Sequence, residues 1–226
     1  MKITIKLSGH ILFPAMDTLP QIKDYATVIR ELVKKGDHVS VVVGGGAPAR
    51  YYIQLARREG ADEATCDHIG ITIANLNAKI FSQALGDVAC PFVPMDFDEL
   101  EKAKVSGKVI VMGGLQPGQS TNAVACILAE KMRSELLINT TTVDGVYSSD
   151  PKRDQDARRL ETVTVGELSK ILASMGVKAG EYALLDPVAL RIIQRSRITT
   201  KIIDGRDPLN ILRACTGEKI GTTIIS

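Results

Sequence analysis

Short β-branched runs and longer stretches with apolar residues three and four apart alternate along this chain. Lys2 to Leu7 reads as a short strand. Ile22, Tyr25, Ala26, Ile29, Leu32 and Val33 recur at helical spacing, and Gly36 stops that helix. His38 to Val43 is a β-branched run, hence a buried strand, and Gly44-Gly45-Gly46 follows at once. A helical stretch then runs through Tyr52, Ile53, Leu55 and Ala56. Ile69, Ile73, Leu76, Ile80 and Ala84 mark one face of a long helix that ends near Gly86. Lys108 to Met112 is a further buried strand, a helix covers about Ala123 to Met132, and Leu136 to Thr140 is again a strand.

Beyond that strand the texture changes. Val143 to Tyr147 reads as a turn between two short strands, and Ser148 to Arg159, charged and Pro-containing, as a surface loop. Alternation then resumes. Helices are predicted near Val165 to Ala173, over Pro187 to Arg195 and over Leu209 to Cys215, with strands at Lys201 to Ile203 and Thr222 to Ile225. This order predicts an α/β fold of three layers, helices covering both faces of a central, mainly parallel sheet. No internal repeat interrupts it. A soft lobe boundary falls near residue 135, giving lobes of about 1–134 and 135–226 that share one continuous sheet.

Length and composition narrow the function classes. A chain of 226 residues suits one large domain or two small lobes. Its net charge of +2 builds no strong field for nucleic acid or an anionic membrane. Trp is absent, which argues against a stacking platform for single strands. No apolar run approaches the roughly 20 residues of a membrane span, and Met1 to Leu7 is too short and strand-like for a signal peptide. Cys66, Cys90, Cys126 and Cys215 form no Cys-x-x-Cys pair, so no structural zinc or disulfide framework is expected. They read as small buried hydrophobes, reduced in a cytosol.

The candidate chemistry sits in three glycine-bearing turns, each placed after a predicted strand. In open parallel sheets, ligands bind outside the carboxyl ends of the strands, so the three turns should converge on one crevice. The first is Lys6-Leu7-Ser8-Gly9: an ammonium at a strand end, beside a turn whose missing Cβ lets backbone come close. The second is Gly44-Gly45-Gly46, with Arg50 four residues on. Its backbone N–H groups and the start of the following helix favour an anion, and Arg50 falls one turn into that helix. The pattern is neither a Walker A loop nor Gly-x-Gly-x-x-Gly. The third runs Gly113-Gly114-Leu115-Gln116-Pro117-Gly118-Gln119-Ser120-Thr121. Its amide and hydroxyl groups can meet a base edge and a phosphate, and Ser120 or Thr121 can equally cap the next helix. Asp67, near the start of the long helix, either accepts ribose hydroxyls or favours the helix dipole. His10, His38 and His68 show no ligand spacing and read as structural or surface groups.

Lys6-Leu7-Ser8-Gly9, Val42 to Gly46, Asp67-His68-Ile69-Gly70 and Thr142 to Tyr147 with Asp150-Pro151 occur in that order. Together they resemble the amino-acid kinase superfamily, most closely the uridylate (UMP) kinases, along the whole chain. The stretches Gly44 to Arg50 and Gly113 to Thr121 resemble the archaeal branch.

The resemblance implies the amino-acid kinase fold and transfer of the ATP γ-phosphoryl to UMP, with Mg²⁺ accompanying ATP, in pyrimidine nucleotide (CTP) biosynthesis. It implies an acceptor-binding N-terminal lobe and an ATP-binding C-terminal lobe. Lys6, Gly9 and His10 would meet the ATP phosphates, Gly46 and Arg50 would lie at the nucleotide phosphates, and Thr141, Tyr147 and Asp150 would form the ATP pocket. Gly45, Asp67 and the loop Leu115, Gln116, Pro117, Gly118, Gln119, Ser120, Thr121 would hold UMP. Lys6, Arg50 and Asp144 would carry catalysis, Asp144 by orienting phosphate-binding groups. No residue is assigned to a metal: Asn122 stands where bacterial members carry an acid, and Thr142 where many relatives have Asn or Lys. The resemblance also implies a cytoplasmic homohexamer, a trimer of dimers, with the long helix near the dimer contact. Two other readings share the fold: a kinase for another small phosphate such as isopentenyl phosphate, and a nucleotide-binding module without turnover. The first would place a His where Ala47-Pro48-Ala49 stands.

Overall fold

The structure is a computed structural model that describes residues 1–16, 22–151, 154–174 and 184–225. Its first half runs β1 (Lys2–Leu7), α1 (Gly9–Leu12), α2 (Ile22–Lys34), β2 (His38–Val43), α3 (Gly46–Arg58), α4 (Glu63–Leu85), α5 (Phe97–Val105), β3 (Ile110–Met112) and α6 (Thr121–Met132). The second runs β4 (Leu136–Thr141), β5 (Thr162–Thr164), α7 (Val165–Ser174), α8 (Pro187–Ser196), β6 (Thr199–Asp204), α9 (Leu209–Cys215) and β7 (Thr222–Ile225).

The described strands form one seven-stranded sheet in the order β3-β2-β1-β4-β6-β7-β5. Its ladders are parallel except for β6 against β7. The pleat sends successive side chains to opposite faces. Ile3, Ile5 and Leu7 of β1 and Val39, Val41 and Val43 of β2 enter one core, with Tyr25 and Ile29 of α2 and Phe81 of α4. Val42, Met112, Leu137 and Ile202 enter the other, with Leu128 of α6 and Ile193 of α8. Burying each such side chain stabilises the fold by about 1.5–3 kcal/mol, which is why both faces must be covered. The α/β three-layer expectation is borne out.

Several hydroxyls inside the sheet are paired. The Thr4 hydroxyl lies 2.8 Å from that of Ser40 and 2.7 Å from that of Ser134. Thr140 of β4 clamps the end of β1, accepting the Ser8 N–H at 3.1 Å and donating to the Lys6 carbonyl at 3.1 Å. Lys6 is thus fixed at the carboxyl end of β1, an interior strand flanked by β2 and β4.

Several elements differ from the sequence reading. α5 has only Leu100 and Ala103 buried, too few apolar contacts to show a period. β5 has three residues and a single buried side chain, Val163. Val143 to Tyr147 does not join two strands: Tyr147 makes an isolated antiparallel bridge with Arg159. Cys66, Cys90 and Cys126 are buried free thiols, whereas Cys215 is partly exposed. In the charged loop, residues 152 and 153 lie outside the described residues. Among the described residues no helix is long and apolar enough to cross a membrane.

Candidate active site

Because β1, β2, β3 and β4 are parallel, the turns after them leave the sheet at one edge. There Lys6, Ser8 and Gly9 from the first turn, Gly44 to Gly46 from the second, and Ser120 and Thr121 from the third line one cavity of about 500 Å³. Thr141 at the end of β4, Arg50 of α3 and His10 of α1 complete that side. A larger cleft of about 710 Å³ lies beyond the C-terminal end of α4, lined by Lys79, Gln83, Cys90 and Phe92 among others. It receives none of the glycine turns, so the chemistry is assigned to the smaller cavity.

The glycines are there for close approach. A Cβ on Gly9 would overlap the Gly46 nitrogen and stand 2.6 Å from the Gly44 carbonyl carbon. The first two turns therefore touch backbone to backbone, which no other residue at position 9 permits. α3 begins at Gly46 with Gly45 as its N-cap, and no side chain caps it. Of its first N–H groups, that of Ala47 donates to the Phe13 carbonyl at 2.9 Å, Pro48 has none and that of Ala49 donates to the Gly45 carbonyl, so the Gly46 N–H and the positive end of the helix dipole are what this start offers an anion.

Charge around the cavity is mostly positive. Burial brings the Lys6 ammonium down from 10.5 to about 8. His10 is also lowered, first by burial and then by the neighbouring Arg50 and Lys6 charges. Asp186 is the one carboxylate among the described lining residues. It caps α8, accepting the N–H groups of Val188 at 2.9 Å and Ala189 at 3.0 Å, and it accepts a short hydrogen bond from the Ser120 hydroxyl. Ser120 in turn caps α6, accepting from Asn122 N and Ala123 N at 3.1 Å. One carboxylate thus locks two helix starts together across the cavity.

Asn122 and Asn139 also line the cavity. Both donate their amide N–H to the Leu184 carbonyl, at 3.3 and 3.0 Å. Their buried Oδ1 atoms find no partner among the described residues. Buried carbonyl oxygens without a donor are costly, so this is a place that favours a cation or a donor from outside the chain.

Asp67 and the third loop meet on the α4 side: the Asp67 carboxylate accepts the Gly118 N–H at 2.8 Å. Leu115 to Gln119 are not among the cavity's described lining; they extend from it over α4. Asp144, Tyr147 and Asp150 likewise stand outside it, on the loop after β4. The Tyr147 hydroxyl donates to Asp144 at 3.0 Å, and Arg159 approaches the same carboxylate at 3.9 Å. That hydrogen bond raises the Tyr147 phenol above its ordinary range. Asp144 is therefore engaged within its own loop rather than with Lys6.

The sequence reading named neither Asp186, Asn139 nor the Leu184 carbonyl. Asp186-Pro187 carries a helix-start signature, Asp at the cap and Pro in the first turn. That signature finds the cap; its arrival beside Ser120 depends on the packing of α8 on α6.

Comparison with known proteins gives concordant results. The Amino acid kinase family matches residues 1–204. The uridylate kinase of Methanobrevibacter smithii is 41% identical over 226 residues, covering all of both chains. That of Methanothermobacter thermautotrophicus is 45% identical over 225 residues, covering 100% of this chain and 99% of its own. The crystal structure of uridylate kinase from Archaeoglobus fulgidus superposes with a TM-score of 0.87 at 40% identity, covering 99% of this chain and 100% of its own. The UMP kinase of Bacillus anthracis, at 22% identity and a TM-score of 0.81 over 99% of this chain and 95% of its own, shares the fold.

Proposed function

The chain belongs to the amino acid kinase family, and from that premise we infer that it transfers the γ-phosphoryl group of ATP to UMP, giving UDP and ADP. The observation that carries this reading is the single cavity onto which Lys6, the glycine start of α3, Arg50 and the Ser120–Thr121 corner converge. The full-length relatives that are uridylate kinases support UMP as the acceptor.

The chemistry asks little covalent help of a protein. The acceptor is a phosphate already ionised near neutral pH, so no general base is needed, and no cavity histidine has to serve as one. What is needed is two anions held in line and stabilisation of charge spread over the transferring group. Lys6 supplies a positive charge from the carboxyl end of β1, and a bound phosphate favours its charged form. The backbone N–H groups of Gly45 and Gly46 supply fixed donors, and Arg50 a guanidinium one turn further on. A phosphoanhydride is broken and another formed, so transfer runs in both directions.

On this reading ATP takes Lys6, Gly9, His10, Gly46, Arg50 and Thr141, with Tyr147 and Asp150 on the adjoining loop. UMP takes Gly45, Asp67 and the loop from Leu115 to Thr121. The N-terminal lobe binds the acceptor and the C-terminal lobe ATP. Asp144, tied to Tyr147 and Arg159, orders the loop beside the ATP side. Mg²⁺ accompanies ATP. The Asp186 carboxylate and the partnerless Oδ1 atoms of Asn122 and Asn139 are hard oxygen donors that fit such an ion. Held by these oxygens, such an ion would neutralise phosphate charge during transfer. The protein works in the cytoplasm in pyrimidine nucleotide synthesis, as a homohexamer built from dimers that meet along α4.

The test is ADP release with Mg-ATP, comparing UMP, CMP and isopentenyl phosphate as acceptors. Fast turnover with UMP and little with isopentenyl phosphate is the expected result. Turnover with isopentenyl phosphate alone overturns the substrate, and binding of ATP and UMP without turnover with any acceptor overturns the enzyme.

A further inference from the structure

α4 carries an amide in a place where an apolar residue would serve stability better. Asn77 lies in the middle of this 23-residue helix and is 3% exposed, next to Ala78 and Phe81 of the core. Asn is a poorer helix former than Leu or Ala, and a buried amide is costly unless hydrogen-bonded. Asn77 meets that cost in one direction. Its Nδ2 donates to the Gly44 carbonyl at 2.9 Å and to the Gly45 carbonyl at 3.0 Å. Carbonyls only accept, so the amide nitrogen must face them and the orientation of the side chain is fixed.

The consequence follows from the planarity of the peptide. A trans peptide points its C=O and its N–H in opposite directions. Pinning the Gly44 carbonyl toward α4 turns the Gly45 N–H away from α4. Pinning the Gly45 carbonyl does the same to the Gly46 N–H. Gly44, Gly45 and Gly46 line the cavity, and no α4 residue is among its described lining. A run of three glycines has no side chains of its own to choose among peptide orientations, and glycine peptides flip with little steric resistance. Donation to a carbonyl also polarises the peptide and strengthens the N–H on its other end.

We infer that Asn77 is a positioning residue for phosphoryl transfer: its amide holds two consecutive peptide groups of the Gly44–Gly46 turn with their N–H donors directed at the phosphoryl group in flight. It touches neither substrate and acts through the turn. The inference rests on the UMP kinase reading above.

Two variants test it. Asn77→Leu is close to isosteric, keeps the helix and its packing, and donates nothing. The expected result is a 10- to 100-fold fall in kcat, KM values for UMP and ATP within about threefold of wild type, and a thermal midpoint equal to or above wild type. Asn77→Asp keeps the shape, but its carboxyl donates only when protonated. Its kcat relative to wild type should therefore rise as the pH is lowered from 8 to 6, a response that a merely structural amide would not produce. Unchanged kcat in the leucine variant, a loss confined to KM, or failure of both variants to fold would overturn the inference in favour of an amide that only supports the helix. Wild-type turnover of UMP is the control: its absence sinks the kinase reading, whereas its presence with unaffected variants sinks this inference alone.

Discussion

Burial brings the Lys6 ammonium from 10.5 down to about 8, so its charge changes within the pH range in which turnover can be measured. Between those two values the unfolded chain binds more protons at this position than the folded one, so folding stability rises with pH there. Below about 8 both states are protonated and the full cost of the desolvated ammonium is carried. Lys6→Met should therefore be the more stable protein at pH 6–7, by on the order of 1–3 kcal/mol, with the gain shrinking above pH 8. It should also lose turnover by orders of magnitude. Parallel thermal melts of the two proteins across pH read this directly; a variant less stable than wild type at pH 6 sinks it. For wild type, kcat/KM should fall as pH rises through about 8, because the free enzyme loses the cation. The limb in kcat should lie higher, since bound phosphates hold the proton on. At Asp67 the chain offers a different test. Its carboxylate already holds the Gly118 N–H, so Asp67→Ala frees the third loop as well as any ribose contact. UMP affinity by calorimetry should drop at least tenfold with ATP affinity kept; unchanged UMP binding would leave Asp67 as a carboxylate that only favours the helix start. Much of this site was legible in the sequence, because strand-end glycines and a strand-end lysine are local signals. Asp186, Asn139 and Asn77 were not, because each acts through a partner at least 32 residues away.

At the scale of elements, the turns after β1 and β2 interlock, and that contact is more demanding than either turn alone. A methyl group on Gly9 has nowhere to go except into the Gly44–Gly46 backbone. Since the strands beneath are pinned by a full parallel register from Lys2↔His38 to Leu7↔Val43, the turns cannot simply separate. Gly9→Ala should lower kcat at least 100-fold and destabilise the fold by about 1–3 kcal/mol, the usual cost of overpacking. Gly166 provides the contrast. It sits in the first turn of α7 with open space where a Cβ would stand. Gly166→Ala should leave activity unchanged and stabilise by about 0.5–1 kcal/mol. Equal behaviour of the two variants in melts and assays would contradict the interlock. The same logic explains which elements the sequence revealed. β2 and α2 carry their burial in their own periodicity: five of six β2 residues are buried, and α2 buries a regular stripe. α5 and β5 take their shape from neighbours, α5 from two buried side chains and β5 from its ladder with β7, so no periodic signal announces them.

The molecule as a whole exposes one apolar stripe that the sequence marked as a helix face and the monomer leaves uncovered. α4 turns Cys66, Ala74, Ala78, Phe81 and Leu85 into the protein. Its other face presents Leu76 at 52% and Ile80 at 42% exposure, with Ile69 and Ile73 half-buried beside them. Tyr52 and Leu55 of α3, 43% and 44% exposed, extend the surface across a shallow apolar cleft of about 320 Å³. A continuous apolar face of this kind marks an interface, and a stripe along one helix can meet its own copy about a twofold axis. Leu76→Asp would bury a carboxylate in each half of that apolar seam, and its desolvation is costly even with the exposed Lys79 one turn along α4. The expected outcome by light scattering is a single species near the chain mass of 24.4 kDa for the variant and, on the homohexamer proposed above, a multiple of it for wild type. Because α4 also carries Asp67 toward the third loop and Asn77 toward the glycine turn, its exposed apolar face and the site share one rigid element. On the assignment proposed above, with UMP at the α4 side and ATP at the far side of the cavity, splitting the proposed assembly should therefore weaken UMP more than ATP. A Leu76→Asp protein that stays the size of wild type would remove the stripe as the dimer contact. A monomer with unchanged KM for both nucleotides would show instead that α4 keeps its place without a partner.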